Sequence, residues 1–175
     1  MPNESLIDAL REALDQELRL LRELPPQLYG RASEGPFSSS VGKHIRHNLD
    51  HFTAFFAGLE AGRVDYESRS RNPVAERDPE AAARQLEAFA ERLEALKPRG
   101  EGLIEVREET DNPAEERRWL PSSLGRELQF LLGHTVHHNA LIAMVLGEHG
   151  ATPPEGFGVA PSTRRHEERV GRASG

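Results

Sequence analysis

Apolar residues recur at every third or fourth position in four segments of the chain, which is the period of an α-helix with one buried face. The first segment, residues 6–24, carries a stripe of leucines and ends at two consecutive prolines. The second extends from about residue 40 to 59, and the third from 79 to about 97. The fourth begins at residue 122 or 123 and ends near 147. It is apolar on most sides, so we expect it to be the most buried.

Residues that favour helix ends stand at the boundaries of these segments. Asn3, Ser39 or Ser40, and Asp78 can each accept hydrogen bonds from the free backbone N–H groups of a first helical turn. A proline follows Asp78 directly, and proline fits the first helical position. Gly62 can close the second helix, because glycine adopts the left-handed conformation that ends many helices.

The stretch between the third and fourth helices has a different period. In LIEVREET, residues 103–110, apolar Ile104 and Val106 alternate with charged residues, which indicates a short strand that can turn back at residues 111–113. Four amphipathic helices bury their stripes most simply in an up-down-up-down bundle, although the long second and third connections allow another order. We therefore predict an all-α fold, a four-helix bundle with a small β element between helices three and four.

The bundle is predicted to be a single domain that spans residues 1–163. After Gly150, Phe157 and Val159 are apolar and can dock on the helices. From Arg164 onward the chain is polar, and we expect residues 164–175 to form a flexible tail.

Composition and charge narrow the classes of function. The chain of 175 residues suffices for one domain with a sizeable core, and its 37% hydrophobic and 29% charged residues are ordinary for a soluble protein. A net charge of −7 argues against nucleic acid as a partner. The absence of cysteine excludes a cysteine nucleophile and thiolate metal ligands. With no long apolar run and an acidic N-terminal segment, we predict a cytoplasmic protein without a membrane partner.

Six of the eight histidines lie in two of the predicted helices. His134 and His138 are four residues apart on the fourth helix, so both face the same side and can reach one metal ion. A helical wheel places this pair at the edge of the apolar face, whereas His137 points outward. The alternative interpretation is a pair of half-exposed imidazoles that bond to backbone groups or water.

The second helix carries three further histidines, His44, His47 and His51. The wheel places His44 and His51 nearer the core than His47, but all three share one face, so periodicity leaves the third ligand open. Metal sites in helical bundles draw their ligands from facing helices. Three neutral imidazoles with at least one open position are typical of a catalytic metal site.

Two motifs, HIRHNLD at residues 44–50 and HTVHH at residues 134–138, resemble those of the DinB/YfiT-like superfamily of bacterial metal-binding four-helix bundles. The resemblance spans about residues 5–150. It implies that His47, His134 and His138 hold one divalent metal ion, with His51 as the substitute for His47. It also makes Asp50 a candidate for orienting a ligand or transferring a proton, against the alternative of a surface acid. Zinc, nickel, iron and copper all suit histidine ligands, so the metal stays open.

The resemblance also implies a function. Members of this superfamily include hydrolases and enzymes that use low-molecular-weight thiols, so we expect a metal-dependent thiol transferase or hydrolase that acts on a small molecule. The missing cysteine fits a thiol that arrives as a cosubstrate, and family members that pair through helices imply a homodimer. A metal-binding or stress-related bundle without turnover and a purely structural bundle are the alternatives.

The long connection after the second helix holds candidates for substrate binding. Tyr66, Arg69 and Arg71 are candidates to anchor an anionic substrate or thiol, against the alternative of a solvated loop. Arg126 and Glu127, at the start of the fourth helix, are predicted to form ordinary pairs on the helix surface.

Overall fold

The computed structural model describes residues 3–34, 38–68, 73–110 and 117–173. The described helices are α1 (Glu4–Glu23), α2 (Pro26–Tyr29), α3 (Val41–Ala61), α4 (Val74–Arg77), α5 (Pro79–Ala95), α6 (Leu124–Glu148) and α7 (Pro161–Ala173). The described strands are β1 (Arg63–Val64), β2 (Leu103–Arg107) and β3 (Trp119–Ser123). The structure thus confirms a mostly helical fold with a small β element.

The predicted helix ends are largely confirmed. The side chains of Ser40, Asp78 and Ser123 accept hydrogen bonds from backbone N–H groups in the first turns of α3, α5 and α6. Gly62 ends α3 with a φ of 70°, the left-handed conformation that glycine adopts without strain. Asn3 precedes α1 but makes no side-chain capping bond.

The four long helices α1, α3, α5 and α6 form the bundle. α1 packs against α5 and α6, and α3 packs against the same two helices, so α1 and α3 occupy opposite corners. The first two long helices in the sequence, α1 and α3, are therefore not neighbours in the bundle. This arrangement is the other helix order that the long connections allow. Between α3 and α5, Phe89 stacks on both Phe52 and Phe56 with ring centroids 5.6 Å apart in each pair.

The strands form one three-stranded sheet in the order β1–β2–β3. β1 pairs with β2 in parallel, and β2 pairs with β3 antiparallel, with Ile104 opposite Ser122. The predicted strand at residues 103–110 is thus confirmed as part of an antiparallel pair, while residues 111–113 lie outside the described residues. The sequence did not reveal β1, because two residues are too short to show a period of two.

The segment after α6 returns to the bundle. Phe157 is only 5% exposed and joins the core, as predicted. Gly158 has a φ of 72°, and a Cβ atom there would lie 2.6 Å from the backbone nitrogen of Ala140 in α6. Only glycine fits such a close approach.

The C-terminal segment forms helix α7, which the sequence analysis did not predict, and the flexibility expected from Arg164 onward stays a prediction. Pro161 occupies its first position, and the arginine and glutamate residues that follow are good helix formers. Most of its described side chains are exposed, so α7 adds little to the core.

A buried polar cluster crosses the bundle interior. Glu17 of α1 is fully buried, and its Oε1 accepts a hydrogen bond of 2.6 Å from Asn48 of α3. The side-chain amide of Asn139 in α6, oriented with its nitrogen toward Glu17, donates to the same oxygen over 2.6 Å. Burial raises the pKa of Glu17 to about 8, although the bond from Asn48 lowers it, so the carboxyl group is largely protonated at neutral pH.

By length and composition, α6 is the one described helix that could cross a membrane. However, it packs against α1 and α3, and the core helices of soluble proteins share this composition. Ten of its 25 residues are buried, against 12 of 21 in α3, so the prediction that α6 is the most buried helix was wrong. The cytoplasmic location stays a prediction.

Candidate metal centre

The facing surfaces of α3 and α6 bring five histidines into one cluster. His44, His47 and His51 follow one another at one-turn intervals on α3, and His134 and His138 lie one turn apart on α6. His137 is exposed, as its outward position on the helical wheel predicts.

Three of these side chains meet closely enough to hold one metal ion. A ligand nitrogen from each of His47, His51 and His134 lies within 4.8 Å of the other two. Three imidazoles around one tetrahedral ion at bond lengths of ~2.0–2.1 Å have their nitrogens roughly 3.3 Å apart. Small side-chain rotations therefore suffice to bring the three nitrogens to this spacing around one ion.

The hydrogen bonding of two of these rings suits metal binding. His51 Nδ1 lies 2.9 Å from the backbone carbonyl oxygen of His47, and only a protonated Nδ1 can bond to a carbonyl. The lone pair of a neutral His51 is then on Nε2. His134 Nε2 is buried and has no hydrogen-bond partner among the described residues. A buried nitrogen without a partner is costly, and a metal ion would satisfy it.

Burial also keeps the α6 pair neutral. Desolvation, followed by the charges of neighbouring histidines, lowers the pKa of His134 to about 2 and that of His138 to about 4. Because only a neutral imidazole ligates a metal, the site is ready to bind at neutral pH.

His138 adjoins this group of three. Its ring centroid lies 4.5 Å from those of both His47 and His134. Its Nδ1 lies 2.9 Å from Nδ1 of His44. The structure therefore brings together all the histidines that the sequence analysis named as candidate ligands, including the substitute His51.

A cavity of about 340 Å³ opens beside the cluster. Its walls combine the imidazoles with aromatic, apolar and charged side chains of both signs: His47, His51, His134, Tyr66, Phe130, Val106, Glu67, Glu109, Glu127, Arg107 and Arg126. The Tyr66 ring lies 5.6 Å from that of His51 and 4.8 Å from that of Phe130, measured between centroids. The structure thus places Tyr66, a predicted substrate residue, beside the histidines, while Arg69 and Arg71 lie outside the described residues.

Glu127 is a cavity residue that the sequence analysis assigned to the helix surface. It is only 3% exposed, and its Oε1 accepts a hydrogen bond of 2.5 Å from Ser122 Oγ. Burial and the negative charge of Glu127 raise the pKa of Tyr66 well above its usual range, so the phenol stays protonated. One signal could have revealed this position: Glu127 is seven residues before His134, which is two turns along the same helix face.

Asp50, the candidate for proton transfer, is buried on α3 beside an arginine. Its Oδ2 accepts a hydrogen bond of 2.6 Å from Arg46 Nη1, and Arg46 Nε donates to Glu76 of α4 over 3.0 Å. The pair of Arg46 and Glu76 ties α3 to α4, and Asp50 holds the same arginine from within α3, which gives Asp50 a structural role. Its catalytic role stays a prediction.

The fold and this cluster define a helical bundle with a histidine site that could hold a metal ion beside a small-molecule cavity. A family model described as the DinB superfamily matches residues 9–142. The chain belongs to the DinB superfamily.

One curated protein resembles part of the chain. FK506-binding protein 5 of Rhizopus delemar is 32% identical over 104 residues, which cover 59% of this chain and 27% of that protein. The chain thus spans about a quarter of the length of this relative. No solved structure matches the chain significantly.

Proposed function

We propose that this protein binds one divalent metal ion at the histidine cluster and acts on a small molecule in the adjoining cavity, as a thiol transferase or a hydrolase. Two observations carry the proposal: ligand nitrogens of His47, His51 and His134 lie within 4.8 Å of one another at the wall of a cavity, and the buried Nε2 of His134 has no hydrogen-bond partner among the described residues. Membership of the DinB superfamily supports it.

The proposed ligands are His47 from α3 with His134 and His138 from α6, as the sequence motifs imply. His138 is not one of the three residues whose nitrogens meet within 4.8 Å, but its ring centroid lies 4.5 Å from those of His47 and His134. His51 is the substitute for His47, because both meet His134 in the same group of nitrogens. A divalent ion held by neutral imidazoles keeps its full charge and supplies Lewis acidity toward a thiol, water or carbonyl group.

The cavity side chains have distinct tasks in this proposal. The protonated Tyr66 phenol donates a hydrogen bond to a substrate oxygen or sulfur, and the buried Glu127 carboxylate accepts one from the substrate or takes up a proton. Arg107 and Arg126 provide positive charge for an anionic substrate, a role that Arg69 and Arg71 share in the sequence-based hypothesis. The missing cysteine fits a low-molecular-weight thiol as cosubstrate.

A metal titration tests this proposal. Metal-free protein without an affinity tag is titrated with zinc, nickel and iron(II) by calorimetry, and bound metal is counted by elemental analysis. We expect one equivalent per chain, and His134→Ala should weaken binding at least about tenfold. His137→Ala is the matched control, because this exposed residue is on the same helix. A wild-type chain that takes up no metal contradicts the proposal.

Activity assays separate the enzyme from a binding protein. The metal-loaded chain is offered pairs of thiols and electrophiles, and then ester and amide substrates. Full occupancy without turnover would favour the alternative of a non-catalytic metal-binding protein.

We also propose that the protein forms a homodimer in the cytoplasm. Sedimentation that shows a monomer at high micromolar concentration would refute the dimer.

A further inference from the structure

We infer that His44 is a positioning residue for His138: it holds Nδ1 of His138 so that only Nε2 can reach the metal ion. This inference rests on the proposed function, because it assumes that the histidine cluster binds metal. It assigns His44 a task of its own, outside the ligand set.

The geometry places His44 next to the ligands without making it one of the group of three. His44 is one turn before His47 on α3, and the Nδ1 atoms of His44 and His138 are 2.9 Å apart. The ring centroid of His138 is 5.2 Å from that of His44 and 4.5 Å from those of both His47 and His134.

A contact between two Nδ1 atoms restricts where the protons can be. A neutral imidazole has one N–H, so one ring donates through Nδ1 and the other accepts. If His44 donated, the proton of His138 would be on Nε2, and neither nitrogen of His138 would be available to a metal. If His138 donates, its Nε2 carries the free lone pair. Metal binding by His138 therefore selects the arrangement in which His44 accepts through Nδ1.

The same arrangement occurs at His51. There the backbone carbonyl of His47 accepts from Nδ1 and leaves Nε2 for the metal. Metal-bound histidines usually donate their second N–H to a carboxylate, a carbonyl or water, which fixes both the tautomer and the ring orientation. His44 provides this acceptor for His138, with an imidazole in place of the usual oxygen.

Two substitutions separate the hydrogen bond from the bulk of the side chain. His44→Leu removes the acceptor and keeps an apolar side chain of similar size. In His44→Asn, the side-chain oxygen occupies nearly the position of Nδ1 and can accept the same hydrogen bond. His137→Leu is the control, because this neighbour of His138 is exposed and its ring lies 5.3 Å away.

The experiment measures two quantities for each chain. Zinc affinity is measured by competition with a chromophoric chelator, and the stability of the metal-free chain is measured by thermal unfolding. We expect His44→Leu to lose about 10–100-fold in affinity, as for other partners of metal-bound histidines. His44→Asn and His137→Leu should stay within about threefold of the wild type, and the metal-free chains should unfold at similar temperatures. Cobalt(II) absorption of the His44→Leu chain should also change, because the orientation of one ligand changes.

Each result is decisive. If the wild type binds zinc and His44→Leu binds it equally well, the inference is overturned while the proposed function stands. If His44→Asn loses as much affinity as His44→Leu, the hydrogen bond to Nδ1 is not the cause, and the inference is overturned. If the wild type binds no zinc, the proposed function fails and the inference fails with it.

Discussion

The imidazole rings of His51 and His134 stack across the interface between α3 and α6, with centroids 3.8 Å apart and planes 29° from parallel. Two charged imidazoles would repel each other at this distance, and the lowered pKa of His134 keeps its ring neutral. This contact joins one candidate ligand of α3 to one of α6. His47 and His138 form a second contact between the two helices, with ring centroids 4.5 Å apart.

The choice between His47 and His51 as the ligand from α3 is the first prediction. If His47 is the ligand, His47→Ala should weaken metal binding at least about tenfold, and His51→Ala should weaken it much less. Calorimetric titration of both variants beside the wild type measures this. The reverse result would make His51 the ligand, and equal, small losses would place the α3 histidines outside the site.

Metal binding should weaken as the pH falls. An exposed histidine has a pKa near 6.5, but burial lowers that of His138 to about 4 and that of His134 to about 2. Since a lowered pKa keeps the ring neutral to lower pH, we expect affinity to be nearly constant above about pH 5 and to fall below it, as the pH passes the pKa of His138 near 4. Equilibrium dialysis over this range measures it. Release already near pH 7 would contradict buried, neutral ligands.

Tyr66 and Glu127 should affect substrate rather than metal. Tyr66→Phe removes a hydrogen-bond donor from the cavity, and such a bond contributes about 0.5–1.5 kcal/mol, or roughly 2–10-fold in kcat/KM. Glu127→Gln should also lower kcat/KM, while zinc affinity should stay at the wild-type level in both variants. Steady-state kinetics beside a zinc titration provides both quantities. A large loss of zinc affinity in Tyr66→Phe would contradict this division of tasks.

Glu17 should make the stability of the fold depend on pH. Burial raises its pKa from 4.5 to about 8, so the folded chain must keep a proton that the unfolded chain releases. The contribution of Glu17 is fully present below about pH 4.5 and is lost as the pH rises through 8. The neutral Glu17→Gln variant lacks this dependence.

Urea unfolding of the wild type and Glu17→Gln at several pH values tests this. The free energy of unfolding of the variant minus that of the wild type should increase from pH 5 to pH 8. Taking the difference removes the contributions that both chains share, including those of the histidines. A difference that does not change with pH would show that Glu17 is not held protonated.

Gly158 should tolerate no side chain. Gly158→Ala should destabilise the fold by about 1–3 kcal/mol, because the new Cβ would meet the backbone of Ala140 at a positive φ. Gly133→Ala is the matched control in α6: a Cβ atom there would meet no described atom of another element within 4 Å, and alanine favours a helix. Thermal unfolding of both variants measures the contrast, and equal stability would contradict the close approach.

The sequence predicts the features of this molecule that depend on neighbouring residues. The four long helices follow from local periodicity, and Ser40, Asp78 and Gly62 mark helix ends through bonds within one turn. The shared face of His134 and His138 follows from helix geometry in the same way.

Other features depend on residues that are distant in the sequence. Glu127 was assigned to the helix surface from the sequence, but it is buried in the fold, where it interacts with Ser122 and Tyr66. The bond between His44 and His138 joins two helices through residues 94 positions apart, which no periodicity reveals. The order of the helices and strand β1 likewise result from packing across the bundle.

The buried cluster around Glu17 also controls how α3 and α6 can slide along each other. Asn48 follows His47 directly, and Asn139 follows His138, so one carboxyl group contacts the neighbours of two candidate ligands. A slip by one turn would shift these helices by about 5.4 Å and separate the imidazoles. It would also leave Glu17 without its partners in a dry interior, which is costly. A residue of α1, which is not part of the histidine cluster, thus fixes the axial alignment on which the cluster depends.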